Sequence, residues 1–596
     1  MTEDEPKRKK LKSSILSESL TTEDFQSLFR THWQASTPLN SPSLEVIATP
    51  FRVCKISNFL NSENFLEKLI TELSDIETRR PETDLYSFEQ TSDLANVDTE
   101  KIVQLHQLFQ NELRNWMQTN TGIELNTKIS MSSTAYSDTD YLLCHDDHLG
   151  DRRIAFILYL SKNWTPEDGG SLDLFDTDSS GLPRKIVRSL VPEYNSLVFF
   201  EVSDNTYHQV AEVTSPDKRR LTINGWFHGP ISPSTRPPRP EIEASEFHEP
   251  SAIAEDLSFW VVESYLCEGI KKGIQREVEK KSYTYLTHFL REEVYNKISA
   301  EIMSEEIKWI RMGPPDSRNY EVADEESLPS TLKQFYEMFK SIEMFKLLKE
   351  YTELDLVPDG KDMRPKMVIQ LQRWTKGCYT LLYDKEDEEN LVSCEKAEDD
   401  DLSNPNYCSK SEEEFAEVEE HENGMNKLEN GGRERKGSSS SCENPEEEKE
   451  KFMRRKKRRI RKNEPNSSTT SDVAGEEERG TFPLDSHDSQ GSDVRKIRSP
   501  SDSSGNDEGS GDETDESDAG PGTLDVIMQF NTSRVPEDVT IDYVDPKEPD
   551  GAFIHVPPED NHLCLVYRTM DTSRVHKYVN HYCEGYFYNL MCSYLE

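Results

Sequence analysis

His145, Asp147 and His208 are the residues of this 596-residue chain whose types and spacing point most directly to chemistry. His145 and Asp147 lie two apart, so on an extended strand both project from one face, while Asp146 and His148 project from the other. With His208 as a third ligand, two imidazoles and one carboxylate would sit on one side of a metal ion and leave the opposite side open. That arrangement suits a non-haem Fe(II) centre. Arg220, twelve residues past His208, opens the β-patterned run Arg220-Leu-Thr-Ile-Asn-Gly-Trp-Phe227. Its planar fork suits a carboxylate co-substrate. A zinc hydrolase is the competing metal site; it would want a carboxylate base near the open position and would leave Arg220 unexplained.

A His-x-Asp pair alone is a weak signal in a chain with 14 His, so the surrounding elements matter. Before the pair runs Ser133-Thr-Ala-Tyr-Ser-Asp-Thr-Asp-Tyr-Leu-Leu-Cys144, and after it Arg153-Ile-Ala-Phe-Ile-Leu-Tyr-Leu160. A Gly169-Gly170 turn follows, then Ser171-Leu-Asp-Leu-Phe175, then Asn195-Ser-Leu-Val-Phe-Phe-Glu201 leading to His208. Short strands with turn punctuation predict an antiparallel sandwich or barrel.

His-x-Asp, a Tyr on the next strand, Gly-Gly-x-Leu, a strand ending in His and an Arg a dozen residues on together resemble the 2-oxoglutarate- and Fe(II)-dependent prolyl hydroxylases. The resemblance implies a double-stranded β-helix (jelly-roll) fold. It makes His145, Asp147 and His208 the iron ligands and Arg220 the partner of the distal carboxylate of 2-oxoglutarate. Tyr159 matches the phenol that hydrogen-bonds the same carboxylate, and Tyr136 lines that pocket. It also implies Fe(II), 2-oxoglutarate as co-substrate, O2, and ascorbate as reductant. Oxidative decarboxylation would yield succinate and CO2 and drive oxidation of a substrate C–H bond, with the protein supplying orientation and exclusion of water.

Length predicts two or more domains. The formal net charge is −44, with 114 acidic against 70 basic residues and only 34% hydrophobic residues. Residues 386–520 hold 39 acidic and 20 basic residues, with little apolar periodicity, and are expected to be disordered. The acidic exterior argues against bare nucleic acid as a partner and fits a basic protein. Ten Cys without a C-x-x-C pair or a secretory leader predict a reducing intracellular compartment. The longest apolar run is about seven residues, Ile154 to Leu160, too short for a membrane span. Pro6-Lys-Arg-Lys-Lys-Leu-Lys12 and the basic run Arg454 to Lys462 predict engagement of a nuclear import receptor, hence residence in nucleus and cytoplasm. Ser499-Pro500 and the acidic run Ser501 to Asp518 predict phosphorylation that changes import or partner binding.

The first globular region is expected from Phe25 to Gly229, with helices over 58–70 and 99–119 before the strands. A Pro-rich linker follows over 230–250, and helical patterning returns over 253–312 and 332–351. The second domain repeats the first. Lys128-Ile through Asp147 aligns with Lys366-Met through Lys385 at an offset of 238, and Pro192-Glu-Tyr-Asn195 with Pro558-Glu-Asp-Asn561 at an offset of 366. The difference matches the length of the acidic insert, so 251–385 and 523–596 form one degenerate copy interrupted by 386–522. Tyr383, Lys385 and Arg574 then stand where the first copy has His145, Asp147 and His208, a set unsuited to Fe(II). The aromatic run Tyr582 to Tyr594 is expected to be core. The whole is mainly β with flanking helices (α+β): two tandem jelly rolls, the second degenerate.

An N-terminal oxygenase, a degenerate second copy and an acidic insert resemble the ribosomal prolyl 3-hydroxylases. The resemblance implies a proline in a basic small-subunit ribosomal protein at the decoding centre as substrate, with effects on translation. A non-enzymatic scaffold of translation or nuclear complexes is the alternative, and the intact first set of ligands favours the enzyme.

Overall fold

A computed structural model describes residues 15–81, 83–231, 246–252, 256–357, 364–382, 522–544, 552–569 and 572–595. The two basic runs, Tyr383, Lys385, the acidic insert to residue 521 and its phosphorylation sites lie outside the described residues. No helix among the described residues is long and apolar enough to cross a membrane.

Chain order begins earlier than Phe25, because Leu16 and Leu20 are already buried and the Trp116 indole donates to the Leu20 carbonyl. Helix Glu23–Gln34 is capped by the Thr22 hydroxyl and places Phe25, Phe29 and Trp33 on one buried face at four-residue spacing. The helix predicted over 58–70 starts only at Glu63, capped by Ser62. Asn58 takes a left-handed φ of 52°, and the Phe59 and Leu60 amides are spent on Asn195. Those donors cannot also open a helix. The second predicted helix runs as Glu100–Leu108 and Arg114–Thr121 around a π turn, Phe109–Leu113, and ends at Gly122 with φ 78°. These helices pack Leu105, Phe109 and Trp116 against Phe156, Leu158, Phe199 and Phe227 of a nine-stranded antiparallel sheet.

The centre of that sheet runs Val53–Ile56, Ser196–Glu201, Arg152–Tyr159, Arg220–His228, Ile129–Tyr136, Glu89–Thr91. Facing it is a five-stranded sheet ordered Pro183–Leu190, Leu172–Thr177, His208–Val210, Tyr141–His145, Tyr86–Ser87. Two antiparallel sheets with this alternation make a jelly roll.

The second unit uses the same order: Tyr283–Thr287, His562–Arg568, Thr523–Phe530, Phe587–Leu595, Lys366–Trp374, Arg318–Ala323. Its smaller sheet is Ala552–Val556, Ile541–Val544, Ser573–His576. Helices Glu268–Lys281, Glu292–Ile302, Ser330–Phe339 and Ile342–Thr352 cover its major sheet. The helical stretch expected over 253–312 is thus broken by strands Tyr283–Thr287 and Trp309–Met312, whose pairing partners outweigh local pattern. Residues 246–250, expected in the linker, join this unit through the His248–Met367 bridge. The repeat extends to single hydrogen bonds. Asn195 (φ 57°) exchanges side-chain bonds with the Leu60 backbone at 3.0 and 2.9 Å. Asn561 (φ 55°) does the same with Leu290 at 2.9 and 2.9 Å.

Charge fills the interior of the second jelly roll. Asp525, fully buried, accepts from Arg574 (2.7 Å), Arg568 (3.0 Å), the Tyr543 hydroxyl (2.9 Å) and the Ser593 hydroxyl (2.7 Å). Burial alone would raise the Asp525 carboxyl, but the two guanidinium groups hold it down at about 2. Its folded value lies below the ordinary 3.8, so the stability it contributes is present above about pH 4 and is lost as pH falls towards 2. Asp525→Ala removes the buried carboxylate that both guanidinium groups share and is expected to cost about 3–5 kcal/mol, read by chemical denaturation at pH 7, with metal binding by the first unit unchanged. Wild-type stability of that variant would mean the network does not hold the second fold.

Candidate active site

His145 ends the strand Tyr141–His145 and pairs across the ladder with His208, the first residue of His208–Val210. Their rings lie 4.3 Å apart. Asp147 does not reach them by strand alternation, which corrects the parity expected from sequence. The strand stops at His145, and Asp147 adopts a left-handed φ of 60°, a conformation Asp tolerates better than most residues. The turn brings its Oδ1 to 3.6 Å from His145 Nε2 and its Oδ2 to 3.4 Å from His208 Nε2. Asp146 caps the His148 amide, and His148 Nδ1 lies 2.9 Å from Asp204, so both point away.

This trio is suited to a metal. One ligand atom from each residue lies within 4.8 Å of the others. His145 Nδ1 sits 2.8 Å from the Leu143 carbonyl and His208 Nδ1 2.9 Å from the Thr206 carbonyl. Each Nδ1–H can therefore donate to backbone, leaving the Nε2 lone pair facing Asp147. Burial, then the neighbouring His145, pushes His208 down to about 4, which keeps the imidazole neutral at pH 7. Burial opposes ionisation of Asp147, yet the two imidazoles and Arg152 hold its carboxyl below the ordinary range.

Arg220 begins the strand Arg220–His228 opposite Tyr136 and is 1% exposed. Its Nε donates to the Gly170 carbonyl at 2.8 Å, and a terminal nitrogen lies 3.5 Å from the Tyr159 hydroxyl. The guanidinium sits 4.9 Å from the Tyr136 ring and 5.1 Å from the Tyr159 ring. Burial pushes both phenols up, so both remain protonated donors. Gly170 (φ 63°) permits the approach, since a Cβ there would meet Arg220 Cδ at 2.9 Å. Among the described residues no carboxylate forms an ion pair with Arg220. Tyr136 and Tyr159 thus both flank the Arg220 guanidinium.

Sequence reasoning missed Arg152 and Trp226. The Arg152 guanidinium stacks 3.7 Å from the Trp226 ring, and one of its nitrogens is 3.8 Å from Asp147 Oδ1. The signal was strand parity: Arg220, Thr222, Asn224 and Trp226 alternate onto one face. Thr134 Oγ1 lies 2.7 Å from the Thr222 hydroxyl and donates to Asn224 Oδ1 at 2.9 Å, giving that face a polar lining.

At equivalent ladder positions the second unit has other residues. Phe587 opposite Trp374 replaces Arg220 opposite Tyr136. Arg574 opposite Tyr543 replaces His208 opposite Leu174. His576 stacks on Trp374 at 4.3 Å, and Trp374 stacks on Tyr320 at 4.8 Å. Aromatic rings fill the place where the first unit has a cation and polar tips. The nine residues Phe587–Leu595 are buried, as expected of core, whereas Tyr582 is exposed.

A jelly roll with an imidazole pair, one carboxylate and a buried arginine beside two phenols defines the 2-oxoglutarate- and Fe(II)-dependent oxygenase class. Residues 131–228 match the 2OG-Fe(II) oxygenase superfamily, and residues 252–595 match the family described as oxoglutarate and iron-dependent oxygenase degradation C-term. The chain belongs to this family of iron- and oxoglutarate-dependent oxygenases with a second, C-terminal domain. It is 40% identical over 353 residues to "Prolyl 3-hydroxylase OGFOD1" of Mus musculus, covering 59% of this chain and 64% of the mouse protein. Similarity to the Xenopus laevis protein of the same name is 34% over 386 residues, 60% of this chain and 74% of that one. "Prolyl 3-hydroxylase sudestada1" of Drosophila melanogaster is 32% identical over 390 residues, 62% of this chain and 72% of the fly protein.

Proposed function

We propose that this chain is a peptidyl-proline 3-hydroxylase that uses Fe(II) and 2-oxoglutarate on a basic protein of the small ribosomal subunit, at a proline near the decoding centre. The observation that carries the co-substrate assignment is Arg220, a buried guanidinium with no carboxylate paired to it among the described residues. A buried cation is costly without a counter-charge, and a dicarboxylate co-substrate supplies one. The names of the mouse, frog and fly relatives support a proline as the oxidised residue. The net charge of −44 supports a basic protein substrate over nucleic acid.

Bound together, Fe(II) and 2-oxoglutarate supply activation of O2, which yields succinate, CO2 and one oxygen atom inserted into a substrate C–H bond. The chain's residues do the rest. Leu143 and Thr206 carbonyls fix the imidazole tautomers, the Gly170 carbonyl aims the Arg220 fork, and Tyr159 and Tyr136 exclude water around it. The Arg152–Trp226 stack beside Asp147 gives the metal's neighbourhood a flat, cationic wall against which a peptide can be oriented. Ascorbate serves as external reductant. Import through the run at 6–12 and residence in both nucleus and cytoplasm accord with a ribosomal substrate.

The full chain, incubated with small-subunit ribosomal proteins, Fe(II) and 2-oxoglutarate, is expected to add one oxygen to a proline of one of them, read by mass spectrometry. Succinate release without a hydroxylated ribosomal protein would overturn the substrate class. No Fe(II)-dependent succinate release with any protein would instead favour the scaffold.

A further inference from the structure

The two jelly rolls meet along a seam that the resemblance leaves without a role. On the catalytic side lie the 137–140 turn, the strand that ends at His145, and the 211–214 segment after His208. On the other side a single turn, residues 577–582, carries most of the polar contacts. Tyr578 packs its ring 4.1 Å from Tyr141, the first residue of the His145 strand. His581 Nε2 lies 2.9 Å from Asp138, and the Tyr582 hydroxyl donates to the same carboxylate at 2.5 Å. Glu212 takes the two remaining bonds: its carboxylate accepts from the His581 amide at 2.9 Å and from the Tyr578 hydroxyl at 3.2 Å.

Glu212 also faces the co-substrate pocket through its backbone. Its carbonyl accepts from the Gly170 amide at 3.0 Å, and the Gly170 carbonyl is the acceptor that aims Arg220. The packing there has no slack. A Cβ on Gly169 would meet the Glu212 carbonyl oxygen at 2.1 Å, and one on Gly170 would meet Arg220. The flanking residues are pinned too, with Ala211 bonded to Ser171, Val213 to Asp140 and Thr139, and Thr214 to Asp168. One residue therefore ties the second domain on its side-chain end to the Gly169-Gly170 turn on its backbone end.

We propose that Glu212 is a positioning residue through which the second, degenerate domain sets the geometry of the Arg220 pocket and hence the affinity for the 2-oxo acid. The inference rests on the assignment of Arg220 as the co-substrate anchor. It gives the degenerate copy a task compatible with the residues it has lost: it needs no metal ligands, only a turn that holds two loops of its neighbour. Burial pushes the Glu212 carboxyl up to about 7 despite the His581 and Tyr578 bonds, so an amide is a fair stand-in for its protonated form.

The test titrates 2-oxoglutarate into the full-length, Mn(II)-loaded chain by calorimetry and follows exchange of the Gly170 amide. Glu212→Ala is expected to weaken 2-oxoglutarate binding by about tenfold, the scale of losing a charge-assisted bond pair, and to speed Gly170 exchange. Mn(II) affinity should stay within about twofold, and succinate release should show a raised KM with kcat nearly unchanged. Glu212→Gln restores binding to near wild type. Should Glu212→Ala fail to fold, Tyr578→Phe removes one donor at constant shape and is expected to weaken binding by about threefold. Unchanged 2-oxoglutarate affinity in Glu212→Ala, or in Tyr578→Phe where the alanine variant does not fold, overturns the proposal, as does equal loss of metal and co-substrate, which would assign Glu212 to folding alone. Arg220→Ala separates the two levels: wild-type affinity in that control defeats the anchor itself, whereas weakened binding there with wild-type affinity in Glu212→Ala defeats only the positioning role.

Discussion

His208→Ala is expected to abolish Fe(II)-dependent succinate release, with a loss of at least about a hundredfold. Changing an outer partner of a metal-bound imidazole already costs about 10–100-fold in affinity or activity, and His208 is itself a ligand in this arrangement. The substitution removes one of the two imidazoles beside Asp147 and leaves its carboxylate facing His145 and Arg152. Equilibrium Mn(II) binding and succinate release by the full chain should fall together, while Asp146→Ala and His148→Ala, whose side chains bond elsewhere, should leave the metal bound. Undiminished turnover in His208→Ala would defeat the triad. The same chain offers an internal control, because Arg574 stands at the ladder position equivalent to His208 and is paired with Asp525.

The order of His-x-Asp, Gly-Gly-x-Leu, His and Arg along the chain made the site legible through a resemblance, and it was the resemblance that put Arg220, Tyr159 and Tyr136 together. The repeat was legible at offsets of 238 and 366 because Asn561 must do for Leu290 what Asn195 does for Leu60. Four features were not legible, each for a tertiary reason. Asp147 reaches the imidazoles through a left-handed turn, and no periodicity reports the φ of an Asp. Residues 58–62 look helical, but the Phe59 and Leu60 amides belong to Asn195, more than a hundred positions away. Strand Tyr283–Thr287 sits in a helical pattern, yet an open ladder edge at His562–Arg568 claims it. Glu212 gives no signal at all in one dimension, since its meaning lies in two loops and a second domain. What the second copy retained is the backbone, down to its asparagine latches; what it changed is the interior, from a cation awaiting an anion to one paired with Asp525.

That difference makes Arg220 the sharper substitution. Arg220→Ala is expected to raise the 2-oxoglutarate requirement by more than about thirtyfold, since truncating one partner of a buried, hydrogen-bonded charge pair costs about 2–5 kcal/mol. Metal affinity should change little, because neither imidazole nor Asp147 contacts the guanidinium among the described hydrogen bonds and ion pairs. Arg220→Lys keeps the charge but loses the planar fork and the Nε bond to Gly170, so its requirement should fall between the two. Substrate and co-substrate titrations of succinate release, paired with Mn(II) binding, separate these effects. Equal loss of metal and co-substrate would place Arg220 in the fold. A selective loss would instead explain why the degenerate copy could accept Phe587 at the same ladder position without unfolding: with no dicarboxylate to bind, a buried guanidinium there would be a cation without a counter-charge, and an aromatic ring stacked near Trp374 fills the space at no such cost.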